Sequence, residues 1–171
     1  MTIRTARPAD ALSIALVHLK SWRTTYWGIL PDDFLRCLRL EPREHFWVAR
    51  LRTQEPRECV VVAEDASKGV IGFASAGPQR EDIFGYQGEL YAIYLLAEHQ
   101  QQGVGRALFK AVSSELVSRN FDSMMLWVLE ANPACKFYQA MGGTPFTTKR
   151  VSFGGMEFTE VAYGWKELRA A

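Results

Sequence analysis

Apolar residues follow two rhythms along this chain, one continuous or alternating and the other recurring every three or four positions, and their succession predicts its elements. Thr2 to Ala6 reads as a short first strand. Pro8 then stands where a helix can start, because the first turn has no use for the N–H that proline lacks, and Leu12, Ala15, Leu16 and Leu19 recur at helical spacing to about Trp22. Gly28 breaks the pattern. Pro31-Asp32-Asp33 opens a second helix with Phe34, Leu35 and Leu38 on one side, and Pro42 starts a third through Phe46 and Leu51. Cys59 to Ala63 is a continuous β-branched run, which suits a strand covered on both faces. Lys68-Gly69 turns the chain into a second such strand, Val70 to Ala76. Gly88-Glu89-Leu90 starts a third that ends near Leu96, and the three read as antiparallel neighbours.

A stripe of Val104, Leu108, Ala111, Val112 and Leu116 then marks a helix that stops near Asn120. Met124 to Leu129 is another strand. Asn132-Pro133 begins a short helix through Phe137 to Met141, closed by Gly142-Gly143, and a terminal hairpin turns at Phe153-Gly154-Gly155. The order is strand, helices, three strands, helix, strand, helix, two strands. Without repeats or linkers, residues 1–171 are expected to pack as one layered α/β domain.

Composition narrows the function. Apolar residues make up 48% and charged ones 23% of 171 residues, an ordinary globular balance. The net charge of +1 gives no broad electrostatic reason to bind nucleic acid or membrane, so any anion site must be local. Cys37, Cys59 and Cys135 are odd in number and form no C-x-x-C pair, which argues against a disulfide framework and a zinc site and fits a reducing cytoplasm. No stretch approaches the roughly 20 apolar residues of a membrane span. His18, His45 and His99 lack metal-ligand spacing, His99 reads as a solvated loop residue, and no metal is expected. Ser75 lacks the first glycine of a nucleophile elbow.

The run Gln100-Gln101-Gln102-Gly103-Val104-Gly105-Arg106 carries the strongest chemical information, because it lies between a strand and a helix. Gly103 and Gly105 permit turn conformations closed to other residues and let a bulky anion approach bare backbone amides. The free N–H groups of the helix start, with about half a positive charge from its dipole, suit a pyrophosphate. Arg106 can neutralise a further phosphate, and equally is an exposed arginine on an ordinary helix. A dinucleotide fingerprint would place Gly or Ala where Leu108 stands, and no G-x-x-x-x-G-K-[ST] run exists, so NAD and the P-loop are both disfavoured.

In these residues the chain resembles the GCN5-related N-acetyltransferases, the GNAT family, most strongly from Glu89 to Gly143. Gln100, Gly103 and Gly105 match that family's acetyl-CoA motif. The resemblance implies a mixed, mostly antiparallel sheet flanked by helices, with acetyl-CoA as cosubstrate. It implies that backbone groups of Ile93 and Leu95 hold the pantetheine arm like an added strand. Asn132 and Tyr138 match a later motif, which implies an amide touching pantetheine and a phenol beside the thiol. Ala97 stands where the family often has proline, a departure that makes the strand exit less rigid.

Acetyl transfer to an amine is limited by the amine's proton, since a lysine-like amine near pKa 10.4 is neutral only about once in 2,500 molecules at pH 7, roughly 4.6 kcal/mol. Glu89 is the candidate base, directly or through a water, with pairing to an arginine such as Arg80 as the competing account. Tyr138 is the candidate acid for the leaving thiolate, with packing of its ring as the ordinary alternative. Asn132 caps its helix on local grounds and can also contact the ligand. A backbone N–H near Leu95 can stabilise the carbonyl oxygen as it gains charge. Cys135 has no local histidine and reads as a packed thiol. Trp22, Tyr26 and Trp27, with Tyr91 and Phe153, are candidate walls of an acceptor cleft for a small-molecule or peptide amine, and Gly77 to Gly88, with Pro78, Arg80, Glu81 and Asp82, a candidate rim. Edges of the terminal strands offer a possible dimer contact. The second functional class consistent with these residues is a non-catalytic CoA-binding sensor.

Overall fold

A computed structural model describes residues 1–53, 55–81 and 85–168. Seven strands, β1 (Thr2–Thr5), β2 (Cys59–Asp65), β3 (Gly69–Pro78), β4 (Gly88–Leu95), β5 (Met124–Leu129), β6 (Thr144–Phe153) and β7 (Met156–Trp165), form one sheet in the order β1-β2-β3-β4-β5-β7-β6. All neighbours are antiparallel except β4 and β5. Five helices flank the sheet: α1 (Ala11–Thr25), α2 (Asp32–Arg36), α3 (Leu40–Thr53), α4 (Val104–Ser118) and α5 (Ala134–Ala140). The architecture is the mixed, mostly antiparallel α/β sheet that the sequence implies.

Each face of the sheet has its own core. Leu108, Val112 and Leu116 of α4 are fully buried against Ile71, Ala74, Met124 and Leu126. On the other face Ile14 and Ala15 of α1 and Trp47 of α3 enclose Phe73. Some expectations need correction here. Helix α1 runs three residues past Trp22, and its buried face adds Ala11, Ile14 and Val17 to the expected Ala15 and Leu19, while Leu12 is exposed. Helix α3 starts at Leu40, two residues before Pro42, because a proline within the first turn removes an N–H with no intrahelical acceptor. Its anchor is Trp47, and Phe46 points to solvent.

The pairing between β4 and β5 is short. Gly88 faces Met124 and Glu89 faces Met125; beyond that point β4 pairs only with β3 and β5 only with β7. A bulge in β4 accompanies the divergence. Ser75 of β3 pairs with Ala92 and Ala76 with Leu90, so Tyr91 has no partner and the side-chain alternation of β4 reverses its phase there. As a result Ala92 and Tyr94 join Phe73 on the α1 face, and Ile93 and Leu95 face α4.

Helix α5 ends in a Schellman motif that fixes Tyr138. Gly142, at φ +85°, donates its N–H to the Gln139 carbonyl, and Gly143 donates to the Tyr138 carbonyl, both at 2.9 Å. A Cβ on Gly143 would stand 2.6 Å from the Trp165 ring and 3.0 Å from the Tyr138 carbonyl oxygen. Gly143→Ala is therefore expected to cost about 1–3 kcal/mol through overpacking. Urea denaturation should show a lower midpoint with an unchanged slope, and an unaltered midpoint would mean that the Trp165 ring yields freely.

Candidate active site

At the glycine turn Gly103 adopts φ +83° and a Cβ there would meet nothing within 4 Å, so the residue is required by backbone conformation and borders open space. Gln101, at φ +59°, shares the left-handed region. The first bond of α4 runs from the Ala107 N–H to the Gly103 carbonyl at 3.1 Å, which leaves the amides of Val104, Gly105 and Arg106 without an intrahelical acceptor. Val104 is buried and seats the helix, whereas Gln100, Gln101, Gln102 and Arg106 are exposed. The expectation that Gly105 also needs a special conformation is corrected. Its φ is not positive, and a Cβ there would lie 3.8 Å from Phe137 in ordinary contact.

The turn is tied to the end of β4 through a single carbonyl. Leu95 O accepts from the Gln100 side-chain amide at 3.3 Å and from the Ser21 hydroxyl at 3.2 Å. Leu96 donates its N–H to Ile71 of β3 at 3.0 Å, so strand alternation turns the backbone groups of Leu95 and Ile93 the other way, into the gap left by β5. Asn132, just before α5, and Tyr138, within it, are both buried, and Tyr138 belongs to the core cluster against which Ile93 and Leu95 pack. Asn132 Oδ1 accepts the Ala134 N–H at 2.9 Å, the cap that its place before Pro133 suggests. Burial pushes the Tyr138 phenol well above its ordinary pKa, with Tyr26 and Cys135 as lesser contributors in the same direction. It keeps its proton through the physiological range. Cys135 directs its thiol at the Leu129 carbonyl at 3.5 Å, and burial raises its pKa, as suits a packed thiol.

Where the strands part, a cavity of about 180 Å³ opens on the α1 face. Trp22, Tyr26, Leu30, Tyr94, Leu129 and Phe153 supply its apolar walls, and Arg80, Glu89, Lys149 and Glu160 its charges. Trp22 and Tyr26 both line it, with ring centroids 4.8 Å apart. Trp27 does not; it is 65% exposed. Tyr91 touches the cavity, but its ring lies between the guanidinium groups of Arg50 and Arg80, at 4.9 and 5.0 Å, and its hydroxyl donates to the Pro78 carbonyl. Of the proposed rim, Asp82 lies outside the described residues.

Glu89 is buried and bound. Arg80 donates its backbone N–H to Oε2 at 3.1 Å and its Nε to both oxygens at 3.1 Å, and its terminal nitrogen closes the pair at Oε1. Glu160 differs. Its nearest cation, Lys149 Nζ, stands 3.8 Å away, and burial raises its pKa against the pull of Lys149 and Arg80. Sequence reading passed over Glu160 and Lys149, although alternation along Phe158, Glu160 and Ala162 places a carboxylate on an otherwise apolar face.

Two histidines also change character. His18 stacks on Tyr94 at 5.0 Å and accepts the Trp47 indole N–H at 3.3 Å, and burial, reinforced by Arg43, lowers its pKa to about 4, so it is neutral at pH 7. His99 is buried beside Lys68, with 3.4 Å between nitrogens, where a solvated loop residue was expected. Among the described residues no three His, Cys, Asp or Glu side chains gather as a metal site, and no helix is long and apolar enough to cross a membrane.

Comparison with known proteins agrees with this geometry. Residues 19–143 match the model of the acetyltransferase (GNAT) family. The chain is 43% identical over 170 residues to the uncharacterized N-acetyltransferase YuaI of Bacillus subtilis (strain 168), covering 99% of this chain and 95% of that one. It is 28% identical to the probable N-acetyltransferase Rv2775 of Mycobacterium tuberculosis, over 94% and 91% of the two chains. Among solved structures, the acetyltransferase yncA of Salmonella typhimurium with acetyl-CoA superposes with a TM-score of 0.73 at 22% identity, covering 99% of this chain and 94% of that one. The PaiA N-acetyltransferase of Thermoplasma acidophilum with coenzyme A gives 0.71 at 20%, over 94% and 96%. With a family model spanning most of its length and a 43% identical relative end to end, this chain belongs to the GNAT family of acetyltransferases.

Proposed function

We propose that this protein transfers the acetyl group of acetyl-CoA directly to the nitrogen of a small primary amine. The gap between β4 and β5 carries this reading, because it joins a turn with free amides on one face of the sheet to a charged cavity on the other. The amides of Val104, Gly105 and Arg106 would take the pyrophosphate, with Gln101, Gln102 and Gly103 shaping the turn. The pantetheine arm would pair with the exposed backbone of Ile93 and Leu95 as an added strand, and Asn132 would touch it from α5. The thioester then reaches the opening of the cavity.

The amine lies in that cavity, whose volume of about 180 Å³ suits a small molecule better than a polypeptide segment. A neutral amine attacks the thioester carbonyl, and a backbone N–H on the open edge of β4 stabilises the oxygen as it gains charge. The C–S bond breaks, and Tyr138 donates a hydrogen bond to the departing thiolate. Its raised pKa favours a shared proton over full transfer to a thiol whose own value lies near 8.5.

Tyr138→Phe tests this role by removing one hydroxyl from a packed ring. Turnover should fall roughly 10- to 100-fold with CoA affinity unchanged. Equal turnover would remove the phenol from the mechanism. Gly103→Val tests the donor site, since left-handed backbone costs a β-branched residue about 1–2 kcal/mol and its side chain enters the anion's space. Calorimetry should show CoA binding weakened about tenfold or more, and unchanged affinity with an intact fold would place the pyrophosphate elsewhere. Tight CoA binding with no transfer to any amine would identify a sensor instead.

A further inference from the structure

The proposed transfer requires a carboxylate free to accept an ammonium proton, and the cavity holds two that differ in just this respect. Both oxygens of Glu89 are engaged by Arg80, through side chain and main chain. Glu160 lies on β7 opposite Leu129, one strand beyond the gap, with its side chain 19% exposed. Lys149 is its cross-strand neighbour, but Lys149 Nζ hydrogen-bonds Glu81 at 3.2 Å and rests 4.1 Å from the Trp127 ring centroid. At 3.8 Å from Glu160 it supplies charge without closing a hydrogen bond.

We infer that Glu160, rather than Glu89, holds the acceptor's ammonium group and takes its proton. This rests on the acetyltransferase reading above. One N–H bond of the ammonium breaks, its electron pair stays on nitrogen, and the proton forms a bond to a Glu160 oxygen. The amine attacks, a second proton passes from the adduct nitrogen to sulfur as the C–S bond breaks, and Glu160 returns its proton to solvent. An ammonium and acetyl-CoA thereby give an amide, the CoA thiol and one proton.

The groups facing Glu160 fit that cycle. Arg80 and Lys149 pull its pKa down, Glu81 and Glu89 push it up, the Tyr26 phenol lies close enough to feel its charge, and burial is the largest influence and raises it. The net result is a better proton acceptor than an ordinary surface carboxylate. Because the raised carboxyl must be ionised to act, activity is lost as pH falls through its pKa and is retained above it.

The test compares wild type, Glu160→Gln, Glu160→Asp and Glu89→Gln for CoA release against pH, with ethylamine, glycine, dialanine and Nα-acetyl-lysine as acceptors. Glu160→Gln should lower turnover about 100-fold or more and abolish the acidic limb, with CoA affinity and melting temperature retained. Glu160→Asp should restore the limb, and Glu89→Gln should keep it. Carbon-13 NMR of the glutamate carboxyls should show one raised midpoint that disappears in Glu160→Gln. A Glu160→Gln variant within threefold of wild type, or with the limb intact, overturns the assignment while the transferase reading stands. Wild type that binds acetyl-CoA yet acetylates none of these amines overturns the transferase reading and this assignment with it.

Discussion

Once β4 and β5 have shared two residue pairs they separate, and each keeps a partner on its outer side only. Backbone N–H and C=O groups stripped of a neighbouring strand must find another partner or remain in water, since their burial without hydrogen bonds costs roughly 1–3 kcal/mol apiece. The fold meets part of this demand itself. Ser21 and Gln100 both donate to the Leu95 carbonyl, which also anchors the glycine turn to the strand. Beyond Glu89 the β5 side of β4 is left without strand pairing.

The bulge at Tyr91 does a second thing with the same residue. Strict alternation from Glu89 would send Ile93 and Leu95 to the α1 face and Tyr94 to the α4 face. The extra residue reverses this, packs Ile93 and Leu95 beneath α4, and sets Tyr94 between His18 and the cavity. Tyr91 itself has the Arg50 and Arg80 guanidinium groups 4.9 and 5.0 Å from its ring centroid and lies over Gly77, whose missing Cβ leaves room for its hydroxyl.

Electrostatics inside the cavity follow from pairing more than from count. Arg80, Lys149, Glu89 and Glu160 sum to no net charge. Arg80 and Glu89 form a many-bonded pair, while Lys149 is drawn toward Glu81 and Trp127. This asymmetry leaves the Glu160 carboxylate less engaged than that of Glu89. His18, stacked on Tyr94 and neutral at pH 7, adds shape and no charge.

Local rules sufficed for most of the elements and for the conformation of the glycine turn. Gly103 stands at a left-handed junction, Asn132 caps α5, Gly142 and Gly143 end it, and the continuous run from Cys59 is covered on both faces, because each depends on neighbours a few residues away in sequence. Part of the α1 stripe and the anchor of α3 escaped local reading, since Leu12 and Phe46 are as apolar as Ile14 and Trp47 and only the facing sheet selects between them. Nor did local spacing place Glu160 beside Lys149, or decide between a free Glu89 and one paired with Arg80. Charges from β4, β6, β7 and the loop after β3 share one cavity only because β4 and β5 part, and the strength of such contacts depends on distances and burial that exist after folding.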